Sequence, residues 1–225
     1  LVSHLHLCAD YLDPQALAQM AQQCAAITTE FENVPAPALL TLGAHRPVAP
    51  ASESVAIAQD RAAEKAHFVR CGVPVAPHAV IEKAVQLAAV SDDLLPGILK
   101  TSRMGYDGKG QARVAHRAEL MAAWQAMQSG GQGDALAHPA HAPGHGVATS
   151  VAQATLSATV CVLEKMLPLA AECSVVLARG HDGQMVHLPV QANLHRDGIL
   201  AVTEVFEGNV PAPLAAQAVQ AARAI

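Results

Sequence analysis

Leu99-Lys100-Thr101-Ser102-Arg103-Met104-Gly105-Tyr106-Asp107-Gly108-Lys109-Gly110-Gln111 decides the reading of this chain. An apolar run, Leu94 to Leu99, broken by Pro96 and Gly97, leads into it. Gly105, Gly108 and Gly110 then fall among Lys100, Arg103 and Lys109. Glycine lets backbone N–H groups turn inward and approach a ligand closely. Successive N–H groups in such a turn form a concave anion site. The cations add charge where a polyphosphate needs it neutralised. A strand, a cationic glycine loop and a second strand (Ala112 to Ala115) read as a flap over nucleotide phosphates. No Gly-x-x-x-x-Gly-Lys-Ser/Thr occurs, and no Gly-x-Gly-x-x-Gly opens a helix here. A mobile hairpin tip has the same composition, so these residues alone leave both readings standing.

The chain has 225 residues, 52% of them hydrophobic, enough for a sizeable core. Alanine carries much of that total, which predicts helices packed tightly on sheet. A net charge of −5 argues against a general nucleic-acid surface. Aromatic residues at 3% argue against base-stacking platforms. Cys8, Cys24, Cys71, Cys161 and Cys173 form no Cys-x-x-Cys pair and are odd in number. That disfavours a zinc site or a disulfide framework and fits a reducing, cytoplasmic setting. No apolar run reaches the ~18 residues of a membrane span, and no basic-then-apolar leader precedes the first helix. Leu1 in place of Met, and an end at Ala224-Ile225 inside a helical pattern, set the expectation of a piece cut from a longer protein.

Asp13-Pro14 reads as an N-cap followed by proline at the first helical position of a helix to Cys24. Ala25 to Thr29 is β-prone, and Ala36 to Leu42 is a short helix stopped by Gly43. Alternating strand and helix suggest that residues 1–50 are the tail of a parallel α/β domain. Ser54 to Cys71 reads as one helix ended by Gly72. Pro74 to Ile81 is a predicted strand, Lys83 to Val90 a helix, and Arg117 to Gln128 another helix. Residues 129–157, rich in Gly, Ala, His and Pro, read as a flexible insertion. His138, His141 and His145 within it come with no cysteine or carboxylate cluster. Beyond it, Val160 to Leu163, Glu172 to Arg179, Met185 to Val190 and Ile199 to Phe206 are predicted strands of a mostly antiparallel sheet. A helix from Pro213 follows.

Candidate chemistry clusters around the glycine segment. A lysine on a strand, as Lys100, can reach bound phosphates as a compact point charge. Glu164, at the end of a predicted strand, and the following Lys165-Met166-Leu167 can offer backbone groups to a base and a carboxylate to ribose. Glu172 opens an apolar strand, where an inward carboxylate needs a cation or ligand hydroxyls. Solvated strand ends explain both glutamates equally well. Asn193 and His195 alternate with Leu194 and so share one face of an extended segment. No Gly-x-Ser-x-Gly elbow and no His-Glu-x-x-His occurs, so nucleophilic catalysis and metal hydrolysis have no support.

The strings "TTEFENVPAPAL", "AQDRAAEKAHFVRCGVPVAPHAVI", "LKTSRMGYDGKGQARV", "VLEKMLPLAAECSVVLARGHDGQ" and "LPVQANLHRDGIL" stand in this order. Together they resemble the ATP-grasp superfamily and, within it, the 5-(carboxyamino)imidazole ribonucleotide synthases. The resemblance covers most of the chain outside residues 129–157. It implies an α/β with α+β architecture, with residues 1–50 the C-terminal part of a Rossmann-like pre-ATP-grasp domain. Residues 51–225 are then an ATP-grasp domain of two lobes lacking its C-terminal portion. The implied enzyme is a C–N-bond-forming ligase of purine biosynthesis using ATP and Mg2+. It phosphorylates bicarbonate to carboxyphosphate, and the amine of 5-aminoimidazole ribonucleotide captures the carboxyl group as ADP and phosphate leave.

By the same resemblance Arg61 and Lys100 contact ATP phosphates beneath a flap of Gly105, Tyr106, Asp107, Gly108, Lys109, Gly110 and Gln111. Glu164, Lys165, Met166 and Leu167 surround adenine, Glu172 takes the ribose hydroxyls, His195 lies at the nucleotide, and Glu30 touches the imidazole ribonucleotide. Such phosphoryl transfer asks for positioning and charge rather than a covalent nucleophile. A cytoplasmic homodimer acting on small molecules, with no nucleic acid or membrane, is implied too. The family's opening glycine-rich segment falls before Leu1 and its magnesium carboxylates after Ile225, so no metal ligand is expected within the chain. Met104 stands where the family commonly has glycine. A formate-dependent glycinamide ribonucleotide transformylase, a biotin carboxylase type ligase, and a nucleotide-binding fragment without turnover are the alternatives.

Overall fold

The computed structural model describes residues 3–105, 110–130, 159–180, 182–196 and 199–225. The chain divides into two compact units, Leu1–Gly72 and Val73–Ile225. In the first, α1 (Pro14–Gln23) starts where the Asp13 carboxylate accepts from the backbone N–H of Gln15 and Ala16. Its Leu17, Met20 and Ala21 pack on Ile27, Leu42 and Val48. Leu42 belongs to α2 (Ala36–Gly43). The Ala25 to Thr29 run forms no strand; it contributes one isolated parallel bridge, Ile27 to Val48.

The predicted helix Ser54 to Cys71 is two helices, α3 (Ser52–Ala58) and α4 (Arg61–Arg70). The break is caused by Asp60, whose backbone is extended and whose carboxylate caps α4 by accepting from Ala62 and Ala63 N–H. Gly72, at φ +73, follows α4 in the left-handed conformation that glycine adopts without strain.

In the second unit, β1 (His78–Ile81), β2 (Gly97–Thr101), β3 (Gln111–Val114) and β4 (Cys161–Lys165) form an antiparallel sheet in the order β1-β4-β2-β3. Strand β1 begins at His78 rather than Pro74, since Pro74 and Pro77 have no N–H to give a ladder. Alternation sends Ile81, Leu99, Val114, Cys161 and Leu163 to one face, all 0% exposed. There they meet Leu120 of α5 (Arg117–Gly130) and Leu87, Val90 and Leu94.

Leu87 and Leu94 sit in two 3₁₀ helices, Ala84–Ala89 and Asp92–Leu94, and Val90 caps the first, where the sequence pattern suggests an α-helix over Lys83 to Val90. Arg117 ties both to α5, donating to Asp92 Oδ1 at 2.7 Å, to Leu87 O at 3.1 Å and to Val90 O. Gly97 is required by the sheet: a Cβ there would lie 2.6 Å from Leu94 O and 2.9 Å from Glu164 O. Gln128 brackets the approach to β4, donating to Thr159 O at 2.9 Å and accepting from Thr159 N–H at 2.7 Å. Apart from Ser129 and Gly130, which end α5, the proposed 129–157 insertion lies outside the described residues.

The predicted single strand Glu172 to Arg179 is two, β5 (Glu172–Ser174) and β6 (Leu177–Arg179), with different partners. Strand β6 forms a hairpin with β7 (Met185–His187), and β5 joins β8 (Gln191–Arg196) and β9 (Ile199–Glu204) in the order β5-β8-β9. Each of these pairs is antiparallel, as expected from successive strands with no helix between them. Helix α6 (Ala212–Ala224) closes the described chain. Among the described residues no helix is long and apolar enough to cross a membrane.

Candidate functional site

Lys100 lies on β2, one residue before the strand ends, opposite Gln111 of β3. Thr101 N–H donates to Gly110 O at 2.8 Å, so the glycine segment is the connection of a β-hairpin. Gly110 is at φ +67, and a Cβ on it would meet Thr101 Oγ1 at 2.5 Å. Met104 also has positive φ, +58. Gly105 and Gln111 flank the connection; Tyr106, Asp107, Gly108 and Lys109 lie outside the described residues.

Lys100 Nζ donates to Glu164 Oε2 at 2.9 Å. In the ladder Glu164 faces Ile98 and Lys100 faces Val162, so the pair is a diagonal one on the face opposite Leu99 and Leu163. The Lys100 and Glu164 side chains are 21% and 12% exposed, which strengthens their attraction relative to a solvated pair. Glu164 lies in β4, in keeping with a strand that ends in it, and the strand runs one residue further, to Lys165. That extra residue comes from cross-strand pairing of Lys165 with Gly97, which the local sequence does not encode. Met166 and Leu167 follow the strand. Lys165 N–H and Met166 N–H are already donated, to Pro77 O at 2.9 Å and Pro96 O at 3.0 Å.

Glu172 opens β5 opposite Asn193 of β8. His195, two residues along β8, brings Nδ1 to 2.5 Å from Glu172 Oε2, a second diagonal pair. Beside it runs a chain of side-chain hydrogen bonds. Thr203 Oγ1 donates to Asn193 Oδ1 at 3.2 Å, Asn193 Nδ2 to Ser174 Oγ at 3.1 Å, and Ser174 Oγ to buried Gln191 Oε1 at 2.9 Å. Ser174, Gln191 and Thr203 escaped the sequence reading. The signal that could have found them is the polar alternation 191, 193, 195 on β8.

The structure therefore joins Lys100 with Glu164, and Glu172 with His195, on two sheets of the second unit. Arg61, the first residue of α4, and exposed Glu30, in the bend before α2, belong to the first unit. A cavity of about 550 Å³ in the second unit, lined by His187, Val190, Phe206, Val219 and Arg223 among others, includes none of these candidates. No group of three or more His, Cys, Asp or Glu among the described residues is placed to hold a metal ion.

The family model described as the ATP-grasp domain matches residues 66–225. The chain belongs to the ATP-grasp family. Ahead of this domain, residues 1–59 match the ribonucleotide synthetase preATP-grasp domain. The chain is 34% identical over 205 residues, 91% of its length, to N5-carboxyaminoimidazole ribonucleotide synthase of Pseudomonas aeruginosa, and covers 49% of that protein. It is 33% identical over 223 residues, 99% of its length, to the Brucella melitensis enzyme of the same name, covering 53% of it. The ATP-grasp chain thus spans about half the length of these relatives. Among solved structures, the Staphylococcus aureus N5-carboxyaminoimidazole synthetase complexed with ADP superposes with a TM-score of 0.75 at 27% identity, over 97% of this chain and 51% of that one. The Thermus thermophilus synthetase gives 0.72 at 27% identity, over 96% of this chain and 51% of that one. The expected fold class, an ATP-grasp fold preceded by pre-ATP-grasp residues, is the observed one.

Proposed function

We propose that this chain is the nucleotide-binding part of a ligase that carboxylates 5-aminoimidazole ribonucleotide with bicarbonate in purine biosynthesis. ATP phosphorylates bicarbonate, and the carboxyphosphate formed is attacked by the amine of the ribonucleotide. A C–N bond forms, phosphate leaves, and ADP is the second product. The observation that carries the reading is the Lys100–Glu164 pair at the root of the glycine hairpin. It is a strand-mounted cation held in place beside a connection suited to phosphate. An ammonium group has three donors, so Lys100 can keep Glu164 and still meet a phosphate oxygen. The names of the Pseudomonas and Brucella relatives and the ADP complex of the staphylococcal one support the substrate assignment.

In this reading Arg61 and Lys100 neutralise phosphate charge, and Gly105 to Gln111 close over it. Glu164 to Leu167 border adenine; with Lys165 and Met166 N–H engaged, Leu167 supplies the backbone donor. Glu172 and His195 attend the ribose, and Glu30 the imidazole ribonucleotide. Residues 1–50 belong to the pre-ATP-grasp domain and 51–225 to the ATP-grasp domain. Magnesium accompanies ATP in this reading, but no ligand set for it occurs among the described residues, so no residue is assigned to it. The protein acts as a cytoplasmic homodimer.

The test is a coupled assay of the protein with ATP, bicarbonate and 5-aminoimidazole ribonucleotide, following ADP and phosphate. ADP release that needs both co-substrates supports the reading. Release only when formate replaces bicarbonate assigns the protein to the formate-dependent ligases instead. Nucleotide binding without turnover reduces the chain to a binding fragment.

A further inference from the structure

Glu172 and His195 are 45% and 35% exposed, and such pairs between solvated side chains contribute little to folding. Their close contact is nonetheless built by several features of the sheet. Glu172 faces Asn193 in the ladder, so His195 reaches it across the diagonal. At that point the pairing of β8 with β9 passes from Leu194–Val202 to His195–Leu200 and skips Ala201. Such a bulge raises local twist and re-aims the neighbouring side chains. The bonds from Thr203 through Asn193 and Ser174 to Gln191 cross all three strands and fix β9, β8 and β5 beside the pair. An ionised carboxylate only accepts, so Nδ1 of His195 is the donor to Oε2. Oε1 of Glu172 has no protein partner among the described residues.

We infer that His195 is a positioning residue for sugar recognition: it fixes Oε2 of Glu172 so that Oε1 is presented to the ribose hydroxyls of the bound nucleotide. The inference rests on the nucleotide reading above and adds to it a division of labour between the two side chains. Without the Nδ1–H donor, the exposed carboxylate is free to change rotamer, and the hydroxyl acceptor loses its fixed place. A nucleotide that lacks the hydroxyl should then be discriminated against far less.

Calorimetric titration of the protein with ADP and with 2′-deoxy-ADP tests this in the wild type, His195→Leu and His195→Asn. The Asn amide nitrogen stands where Nδ1 stands, so it keeps the donor. The wild type should prefer ADP by roughly tenfold or more, as expected for a site built around a hydroxyl. His195→Leu should bring that preference to about threefold or less, chiefly by weakening ADP, while His195→Asn keeps most of it. A preference unchanged in His195→Leu, or lost equally in His195→Asn, overturns the inference while ADP binding by the wild type still stands. Wild-type protein that fails to bind ADP overturns the nucleotide reading itself, and the inference with it.

Discussion

The sheets β1-β4-β2-β3 and β5-β8-β9 use the same antiparallel pairing, and each carries one diagonal carboxylate pair, yet they differ in what they hide. In β4, Cys161, Val162 and Leu163 are completely buried; in β9 every residue from Ile199 to Glu204 is exposed. Helix α5 seals the first sheet with Leu120, whereas α6 contributes no buried residue. Backbone pairing alone thus defines the second sheet as clearly as the first, while apolar burial stabilises only the first. The carboxylate pairs follow suit: Lys100–Glu164 sits in partial shelter and Glu172–His195 in reach of water.

The sharpest way to break this contrast is to truncate one leucine in each sheet. Leu163→Ala should destabilise the protein by about 2–5 kcal/mol, the usual range for a leucine removed from a closed core. Leu194→Ala, at a side chain left half in solvent, should cost less than about 1 kcal/mol. Urea denaturation of the two variants decides it. Equal losses would mean that the second sheet buries as much as the first.

Alkaline pH probes the same core without changing its shape. Burial pushes the Cys161 thiol from 9.0 up to about 11. Above pH 9 the unfolded chain releases this proton while the folded chain keeps it. The contribution is therefore complete below pH 9 and is lost as pH rises through 11, by about 2–3 kcal/mol. Denaturation midpoints between pH 8 and 11 should show that slope in the wild type, and Cys161→Ala should flatten it. A slope indifferent to the substitution would count against a dry environment at Cys161.

The contrast also explains which parts of the molecule were legible beforehand. Strands β3 and β4 are short runs paired in a buried sheet, and their expected limits, Ala112 to Ala115 and Val160 to Leu163, were readable within two residues of the observed ones. The division of the strand through Glu172 to Arg179 was not readable, because its two parts pair with different strands, β5 with β8 and β6 with β7. Asp60 was visible as a residue, but its choice of capping α4 over continuing a long helix is decided by local hydrogen bonds that a periodic pattern does not encode. Lys100, Glu164, Glu172 and His195 were legible as candidate residue types. Their pairing was not, since a diagonal contact follows from register. Ser174 and Thr203 were silent for the same reason.

Removing the cation of the sheltered pair should cost more than removing the partner of the open one. Lys100→Met leaves Glu164 without its 2.9 Å donor and should destabilise by about 1–2 kcal/mol, reduced from the fully buried value by the remaining exposure. His195→Leu should cost less than about 1 kcal/mol. Thermal denaturation at low and high salt separates them, with the salt-sensitive loss expected mainly at the open pair. A costlier His195 substitution would reverse the proposed order of shelter.

The smallest expected effect lies in the connections. The β6–β7 turn places a glycine, Gly183, at φ +78, whereas the hairpin after β2 places Met104 at φ +58. A left-handed backbone costs an L side chain about 1–2 kcal/mol. Glycine removes that strain but gives back about 0.5–1 kcal/mol in unfolded-chain entropy. Met104 is largely exposed, so truncation forfeits little packing. Met104→Gly should therefore stabilise the protein by less than about 1 kcal/mol, a small rise in the urea midpoint, where most core substitutions lower it. A fall in the midpoint would show that Met104 makes contacts worth more than its backbone strain, and would remove the difference between the two turns.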